Sequence, residues 1–445
     1  MKLKSLLATT ALCAGIASPT IAGAWSLEEA AAPYAGTTVD VVFLLRPGYE
    51  AIEAMLPAFE EATGIDVNII KHPYENALGE QVRDFVAGGD LDIALIDLVW
   101  IGNFVENEWV VSVDEIMETY PDIIDPELNM DDFFPLVLNA FGGWNDTIYG
   151  LPFDNYSGLM FYNRCMLEEA GFDGPPETWQ QLMDEYGPAL TTGDQYAYAL
   201  QSKRNETQSA DSFARMLWPF GGSFLDADFR SNLLSEESQA GLQFRQELMQ
   251  YMPDGIVAFD HAETVNAFAQ GEVAMITEWS AFYSTVVDPD TSRVADCVGI
   301  APEPMGPAGR KPALGGFSLA VASQADENEK AAAWLFIQWA TSAANAVEYL
   351  ERGGVPARQS AYADPALAET YTFIPALVES WQDGVPEFRP RFAEWPEISE
   401  VVQEWGTRMM LGEVSVEEGA AEIGTRMEDI LESAGYYSGD KPLAQ

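Results

Sequence analysis

The sequence has few positive charges and very few histidines. Lys and Arg together number 22, whereas Asp and Glu number 71, which gives a formal net charge of −49. A field of this sign excludes nucleic acids and anionic membranes as partners. The acids are scattered along the chain and 48% of the residues are hydrophobic, so the composition indicates a folded acidic protein rather than a disordered one.

Signatures of common catalytic and cofactor sites are missing. The sequence contains no G-x-S-x-G, H-E-x-x-H, G-x-x-x-x-G-K-[ST] or C-x-x-C motif and no dinucleotide fingerprint. The two histidines, His72 and His261, belong to no metal-ligand spacing. The sequence therefore predicts no catalytic residue, cofactor or metal. It leaves open a carboxylate pair for glycoside hydrolysis and calcium at the acidic run "DPELNMDD", without favouring either.

Long hydrophobic runs are missing too. The most apolar segment after Trp25, "KAAAWLFIQWATS", is too short to span a membrane and reads as a buried helix. Cysteines are also few. Cys165 and Cys297 remain after the N-terminal segment, and the sequence leaves open whether they pair.

The first residues are typical of a secretory signal. Lys2 and Lys4 precede the apolar run "SLLATTALCAGIA", and a small-residue cleavage pattern ends at Ala24. Leu12, directly before Cys13, is too bulky for lipoprotein processing. We expect residues 1–24 to be a signal peptide cleaved after Ala24, and the mature protein to be periplasmic.

The N-terminal region alternates between strand and helix patterns. "TVDVVFLL", "IDVNII" and "LDIALIDL" read as strands. Between the first two, Ile52, Met55, Leu56 and Phe59 have the spacing of one buried helix face, and Gly64 ends that helix. Strands and helices alternating with short links predict an α/β fold with a mostly parallel sheet.

Aromatic and polar residues stand at the predicted strand ends, where open α/β sheets bind ligands. Trp100 follows Asp97 in this way, and Trp279 ends the run "GEVAMITEWS". A ring beside short polar groups suits a sugar, because its face takes the C–H groups and the polar groups take the hydroxyls. The alternative is that such a Trp simply belongs to the core.

Several segments together resemble the family 1 extracellular solute-binding proteins. They are "YEAIEAMLPAFEEATGIDVNI", "FVAGGDLDIALID", "IYGLPFDNYSGLMFYNR", "FAQGEVAMITEWS", "GGFSLAVAS" and "GGVPARQS", in this order along the chain. These proteins are the carbohydrate receptors of ABC importers and are similar in plan to maltose-binding protein. The resemblance covers nearly the whole mature chain.

This resemblance implies a two-lobed periplasmic-binding-protein fold of type II. Each lobe would be a mostly parallel sheet flanked by helices, with hinge strands between the lobes. Lobe 1 would comprise residues 25–153 with 315–370 returning to it, and lobe 2 residues 154–314 with 371–445 returning to it. In "IYGLPFDNYSGLMFYNR", Asp154 and Tyr156 would face the cleft, and residues 159–162 would be a buried strand.

The resemblance also implies a ligand site shared by both lobes. Its predicted members are Arg46, Tyr49, Asp97, Trp100, Asp154, Tyr156, Trp218, Trp279, Gly315, Gly316, Arg352 and Trp395. Arg389 and Arg391 lie near Trp395, and the sequence assigns them no role.

The predicted function is a binding protein, not an enzyme, that captures a sugar, oligosaccharide or polyol and delivers it to an inner-membrane ABC permease. We expect a monomer that binds no nucleic acid. The alternatives are a receptor for a cationic or carboxylate-bearing solute, a secreted glycoside hydrolase and, third, a structural or adhesive protein.

Overall fold

A computed structural model describes residues 25–193, 195–204, 208–439 and 441. The predicted signal peptide, residues 1–24, lies outside the described residues. Within them, no helix combines the length and the apolar character that crossing a membrane requires.

The strands carry the residues around which the site is built. They are β1 (Thr38–Leu44), β2 (Asp66–His72), β3 (Ile93–Asp97), β4 (Gly143–Trp144), β5 (Thr147–Ile148), β6 (Leu151–Asn163), β7 (Tyr196–Leu200), β8 (Val273–Trp279), β9 (Val298–Pro302) and β10 (Leu314–Val321).

Helices pack around these strands on both sides of the molecule. The first nine are α1 (Leu27–Ala31), α2 (Pro47–Thr63), α3 (Tyr74–Ala87), α4 (Ile101–Glu106), α5 (Val113–Thr119), α6 (Pro135–Val137), α7 (Arg164–Glu169), α8 (Trp179–Gln181) and α9 (Gly187–Leu190). They are followed by α10 (Gln208–Leu217), α11 (Glu236–Leu248), α12 (His261–Ala269), α13 (Tyr283–Val287), α14 (Glu327–Ala340), α15 (Ala343–Glu351), α16 (Pro365–Thr370), α17 (Ile374–Asp383), α18 (Trp395–Met410) and α19 (Val416–Ser433).

The N-terminal alternation predicted from the sequence is confirmed. β1 pairs in parallel with both β2 and β3, and α2 and α3 connect them. The apolar stripe of α2, including Ile52, Met55 and Phe59, is buried. Gly64 ends α2 in the left-handed conformation (φ 68°), which glycine adopts without steric cost.

Strand β6 belongs to both halves of the molecule. Its residues 151–157 pair with β10, which in turn pairs with β3, and its residues 158–163 pair with β8 and β9. Because β6, β8, β9 and β10 meet in antiparallel pairs, the complete sheet is mixed, and the parallel pairs are β1–β2, β1–β3 and β7–β8. One continuous strand thus joins the two halves.

Later parts of the chain return to each half. α14 packs against β1 and β10, and α15 packs against α2. α18 and α19 pack against each other and against α10 and α11. These contacts agree with the order of the predicted lobes, but the lobe boundaries stay a prediction.

Cys165 and Cys297 form a disulfide, a pairing that the sequence left open. Cys165 lies in α7 and Cys297 directly precedes β9. Beside them, Arg164 Nη2 donates to the carbonyl of Asp296 over 2.8 Å. The disulfide therefore links α7 to the start of β9.

Candidate functional site

A cleft lies where β6 and β10 pass between the two halves, and it has two adjoining compartments. Arg46, Tyr156, His261 and Trp279 line both of them. The inner compartment, about 320 Å³ when space open to solvent is included, is completed by Tyr74, Asp97, Asp211, Gly315, Gly316, Phe317 and Arg389. The outer compartment, about 870 Å³ on the same basis, is completed by Leu45, Pro47, Gly48, Asp154, Ala281, Phe282, Thr285 and Gly353.

A buried arginine crosses the end of the inner compartment. Arg389 Nη1 lies 3.3 Å from Asp211 Oδ1, and its Nη2 lies 3.6 Å from Asp97 Oδ1. Burial alone would lower the pKa of Arg389, but Asp211 and Asp97 outweigh it, so the pKa is raised and the guanidinium stays charged. Tyr74 also donates its hydroxyl to Asp97 Oδ2 over 2.7 Å. The compartment therefore ends in an ordered set of donors and acceptors.

Trp279, the last residue of β8, supplies an aromatic wall. The guanidinium of Arg215 lies 4.9 Å from the centre of its ring. Arg215 is itself buried and forms an ion pair with buried Glu303. A Cβ added to Gly315 would lie 3.0 Å from the Trp279 ring, so the ring also packs closely against β10. These contacts fix the orientation of the indole.

Asp154 and Tyr156 form the hinge-side wall. Asp154 has a left-handed backbone (φ 54°) next to a register shift between β6 and β10. Its carboxyl accepts hydrogen bonds from the Tyr156 hydroxyl and, over 3.2 Å, from the backbone N–H of Val355. Burial raises the pKa of Asp154 to about 6. A Cβ on Gly48 would clash with that carboxyl, so a larger residue there would have to displace the Asp154 side chain.

His261 contributes an imidazole held by a buried carboxylate. Its Nδ1 lies 2.9 Å from Glu278 Oε1, and the backbone N–H of Trp279 donates to Glu278 Oε2 over 3.0 Å. The imidazole also stacks on Phe282 at 5.3 Å between ring centres. Because Glu278 occupies Nδ1, Nε2 is the nitrogen left for a ligand.

Arg46 lines both compartments as the N-cap residue of α2, directly after the end of β1 and Leu45. Its guanidinium lies 5.3 Å from the ring centre of Tyr74 and 5.8 Å from that of Phe317. The aromatic contacts keep this charge at the boundary between the two compartments.

Seven of the twelve residues predicted from the sequence line the cleft. They are Arg46, Asp97, Asp154, Tyr156, Trp279, Gly315 and Gly316. The structure thus brings them together, and their role in binding stays a prediction.

Two predicted residues lie one layer behind the cleft. Tyr49 is 1% exposed and packs its ring against Phe43 and Phe153. Trp100 is buried and stacks on Tyr74 at 5.3 Å. Both follow strand ends, as the sequence indicated, but the turn after each strand directs the side chain into the core.

Three further predicted residues lie elsewhere. Trp395 is completely buried and packs against Phe224. Trp218 donates its indole N–H to the carbonyl of Phe388 over 2.9 Å. Arg352 forms an ion pair with Glu348 one helical turn away. None of the three lines either compartment; their positions are those of core, packing and surface residues.

Five residues of the inner compartment were not among the predicted site residues: Tyr74, Asp211, His261, Phe317 and Arg389. Tyr74 follows the end of β2, and Phe317 follows Gly315-Gly316, so their positions in the sequence did carry a signal. Asp211 and Arg389 did not, because only folding brings them within 3.3 Å. Arg391 is different, since it donates to the carbonyls of Asn139, Ala140 and Gly143 and supports the backbone.

One known protein family matches most of the chain. The family model for bacterial extracellular solute-binding protein matches residues 44–347. A relative from Sinorhizobium fredii, named a probable amino-acid ABC transporter periplasmic-binding protein, is 25% identical over 407 residues, which is 91% of each chain. The mannitol-binding protein of Pseudomonas aeruginosa is 27% identical over 305 residues, 66% of this chain and 67% of that protein.

Solved structures share this fold over most of the chain. A crystal structure of an ABC transporter solute-binding protein from Agrobacterium radiobacter, in complex with ribitol, has a TM-score of 0.80 and 25% sequence identity. The similarity covers 89% of this chain and 99% of that one. The two-lobed fold predicted from the sequence is confirmed.

Proposed function

Since the chain belongs to the bacterial extracellular solute-binding protein family, we propose that it is the receptor of an ABC importer and captures a sugar or polyol between its two halves. The observation that carries this proposal is the inner compartment. There, Arg389 is held between Asp97 and Asp211 close to the Trp279 ring.

This arrangement suits a chain of hydroxyl groups. Asp97 and Asp211 supply acceptors, Arg389 supplies donors in a planar fork, and their mutual ion pairs hold them in place before ligand arrives. The indole of Trp279 offers an apolar face to C–H groups. A polyol or pyranose presents both kinds of surface at once.

The close spacing of the polar groups in the inner compartment favours a small ligand. Arg389 lies 3.3 Å from Asp211 and 3.6 Å from Asp97, so these donors and acceptors converge on a few hydroxyl groups rather than along an extended chain. A polyol or monosaccharide therefore suits the compartment better than an oligosaccharide. The relatives named for mannitol and bound to ribitol support the same class.

Binding would stabilise a closed arrangement of the two lobes. β6 and β10 pass from one half towards the other, and Asp154 marks an irregularity in that pairing. A ligand that contacts Asp97 on one side and Asp211 on the other favours the state in which these residues are close together. The permease in the inner membrane would recognise that closed state. No bond of the ligand is made or broken.

The cellular setting follows from the family. An extracellular solute-binding protein is exported. We infer that cleavage follows Ala24, that the mature protein works as a monomer in the periplasm, and that its acidic surface keeps it in solution.

The test is a thermal-shift and calorimetric screen of purified mature protein against polyols, monosaccharides, short oligosaccharides and amino acids. We expect one polyol or monosaccharide to raise the melting temperature by linkage. The Trp279→Leu variant should lose that affinity at least ten-fold. Trp109→Leu, which removes an indole stacked on Phe85 away from the cleft, is the matched control.

Two results would overturn the proposal. A screen in which amino acids bind and no hydroxylated ligand does would reassign the receptor to the class named for the Sinorhizobium relative. Unchanged affinity in Trp279→Leu would show that the ligand lies outside this cleft.

A further inference from the structure

The two compartments of the cleft differ in chemistry. The residues found only in the inner compartment include Asp97, Asp211 and Arg389, all charged and buried. The side chains found only in the outer compartment are mostly apolar: Leu45, Pro47, Ala281 and Phe282. The two spaces meet at the Trp279 ring, which lines both.

Among the described residues, the outer compartment has only two polar side chains that the inner one lacks, Asp154 and Thr285. The carboxyl of Asp154 accepts from Tyr156 and Val355 and is 1% exposed. Arg46 and His261 line both compartments, so a polyol in the inner compartment can already use them. Beyond them, Phe282 presents a ring that stacks on His261.

Leu45 gives this compartment an apolar edge that the fold does not require. Its side chain is 61% exposed, directly after β1 and two residues before α2 begins. The other exposed large apolar residues of the described chain lie outside the cleft: Ile70, Val86, Leu234, Val347 and Leu411. An exposed leucine is ordinary by itself, but at the mouth of a binding cleft it adds contact area for an apolar group.

A groove of mixed character continues beyond the outer compartment. It shares Ala281 and Gly353 with that compartment, and its further lining includes apolar Val287, Leu350 and Phe373 but also charged Glu351 and Arg352. The uninterrupted apolar contact for a ligand anchored in the inner compartment is therefore the outer compartment itself.

We propose that the ligand is amphipathic: a sugar or polyol that carries an alkyl or aryl substituent, with its hydroxyls in the inner compartment and its substituent against Leu45, Ala281 and Phe282. This inference rests on the proposed function. It narrows the substrate class from free sugars and polyols to glycosides of sugars or ethers of polyols. Burial of the substituent supplies affinity in proportion to the apolar area removed from water.

The test compares matched ligands. For the sugar or polyol selected by the screen, the methyl and n-butyl glycosides or ethers, substituted at the same oxygen, are titrated by calorimetry. We expect the butyl compound to bind at least ten-fold more tightly than the methyl compound. Leu45→Ser and Phe282→Ser should each bring the ratio of the butyl affinity to the methyl affinity closer to one. Leu234→Ser, which changes a leucine of similar exposure (56%) outside the cleft, should keep the ratio of the unchanged protein.

The outcomes separate the two proposals. A butyl compound that binds no better than the methyl compound, or a ratio that is the same in all variants, overturns the amphipathic ligand and leaves the polyol receptor intact. If the free sugar or polyol binds and neither derivative does, the amphipathic ligand is likewise overturned and the polyol receptor is left intact. If no free or substituted compound binds, the proposed function fails and this inference with it.

Discussion

Arg389 Nη1 lies 3.3 Å from Asp211 Oδ1, and both side chains are almost completely buried. The same guanidinium approaches Asp97 at the end of β3. Asp211 belongs to α10, so one arginine, from the segment between α17 and α18, joins the two walls of the cleft. Removing it would leave two buried carboxylates without the guanidinium that bridges them.

We expect Arg389→Gln to weaken ligand binding at least ten-fold and to lower the free energy of unfolding by about 3–5 kcal/mol, the usual cost of breaking a buried ion pair. Calorimetry and urea denaturation measure the two effects. Arg389→Lys keeps the charge but not the planar fork, and should recover part of the stability while affinity stays low. Arg83→Gln, at an exposed pair with Glu80, is the control for both measurements. An affinity that is unchanged in Arg389→Lys would contradict the assigned role.

Gly315→Ala tests the position of the indole. The new Cβ would lie 3.0 Å from the Trp279 ring, so the ring would have to move by a few tenths of an ångström. We expect ligand affinity to fall by about three- to ten-fold, because a stacked ring must match its ligand closely.

Gly79→Ala provides the contrast. Gly79 lies inside α3 with no atom within 4 Å of an added Cβ. The Gly79→Ala variant should raise the free energy of unfolding by about 1 kcal/mol, because alanine has the higher helix propensity, and should leave ligand affinity unchanged. Equal affinities in the two variants would mean that the indole position is not critical.

The sequence was most informative where local pattern and fold agree. The spacing of Ile52, Met55 and Phe59 predicted a buried face of α2, and Gly64 predicted its end; both are found. The strand-end rule placed Asp97 at the cleft, as the structure shows. These features depend on periodicity and backbone conformation, which neighbouring residues in the chain determine.

The strand-end rule was less informative about the direction in which a side chain points. Asp97 is the last residue of β3, whereas Tyr49 and Trp100 lie in the helical segments that follow β1 and β3. Their rings pack into the core, because a residue's direction beyond a strand depends on the helical segment that it enters. Arg389 and Asp211 are 178 positions apart, and no local pattern relates them. Trp395 shows the same difficulty, since a buried indole and a ligand-stacking indole look alike in a sequence.

The disulfide should stabilise the protein without contributing to the site. Cys165 and Cys297 are 132 residues apart in sequence, and crosslinking so long a segment restricts the unfolded chain. We expect reduction, or the double variant Cys165→Ser with Cys297→Ser, to lower the free energy of unfolding by about 2–5 kcal/mol. Ligand affinity should be unchanged, since neither cysteine lines the cleft. A reductant that lowers the melting temperature of the double variant as much as that of the unchanged protein would contradict this assignment.

Asp92 should make stability depend on pH. The residue is 4% exposed, and burial raises its pKa to about 7, although the backbone N–H of Asp40 donates to it over 2.9 Å. Because the folded-state pKa lies above the ordinary value of 3.8 for an aspartate, the folded protein holds a proton that the unfolded chain releases between these two pH values. The contribution of Asp92 to stability is therefore complete below about pH 4 and is lost as the pH rises to about 7.

Asp92→Asn keeps the side chain neutral at every pH and retains an oxygen that can accept from Asp40. Relative to the unchanged protein, we expect the variant to gain about 1 kcal/mol of stability per pH unit between pH 5 and pH 7, and only about 0.4 kcal/mol more between pH 7 and pH 8. Urea denaturation at each pH measures the difference, and Asp122→Asn, at an exposed position, is the control. A stability difference that stays constant from pH 5 to pH 8 would show that Asp92 is ionised throughout this range, and that the Asp40 hydrogen bond rather than burial decides its charge.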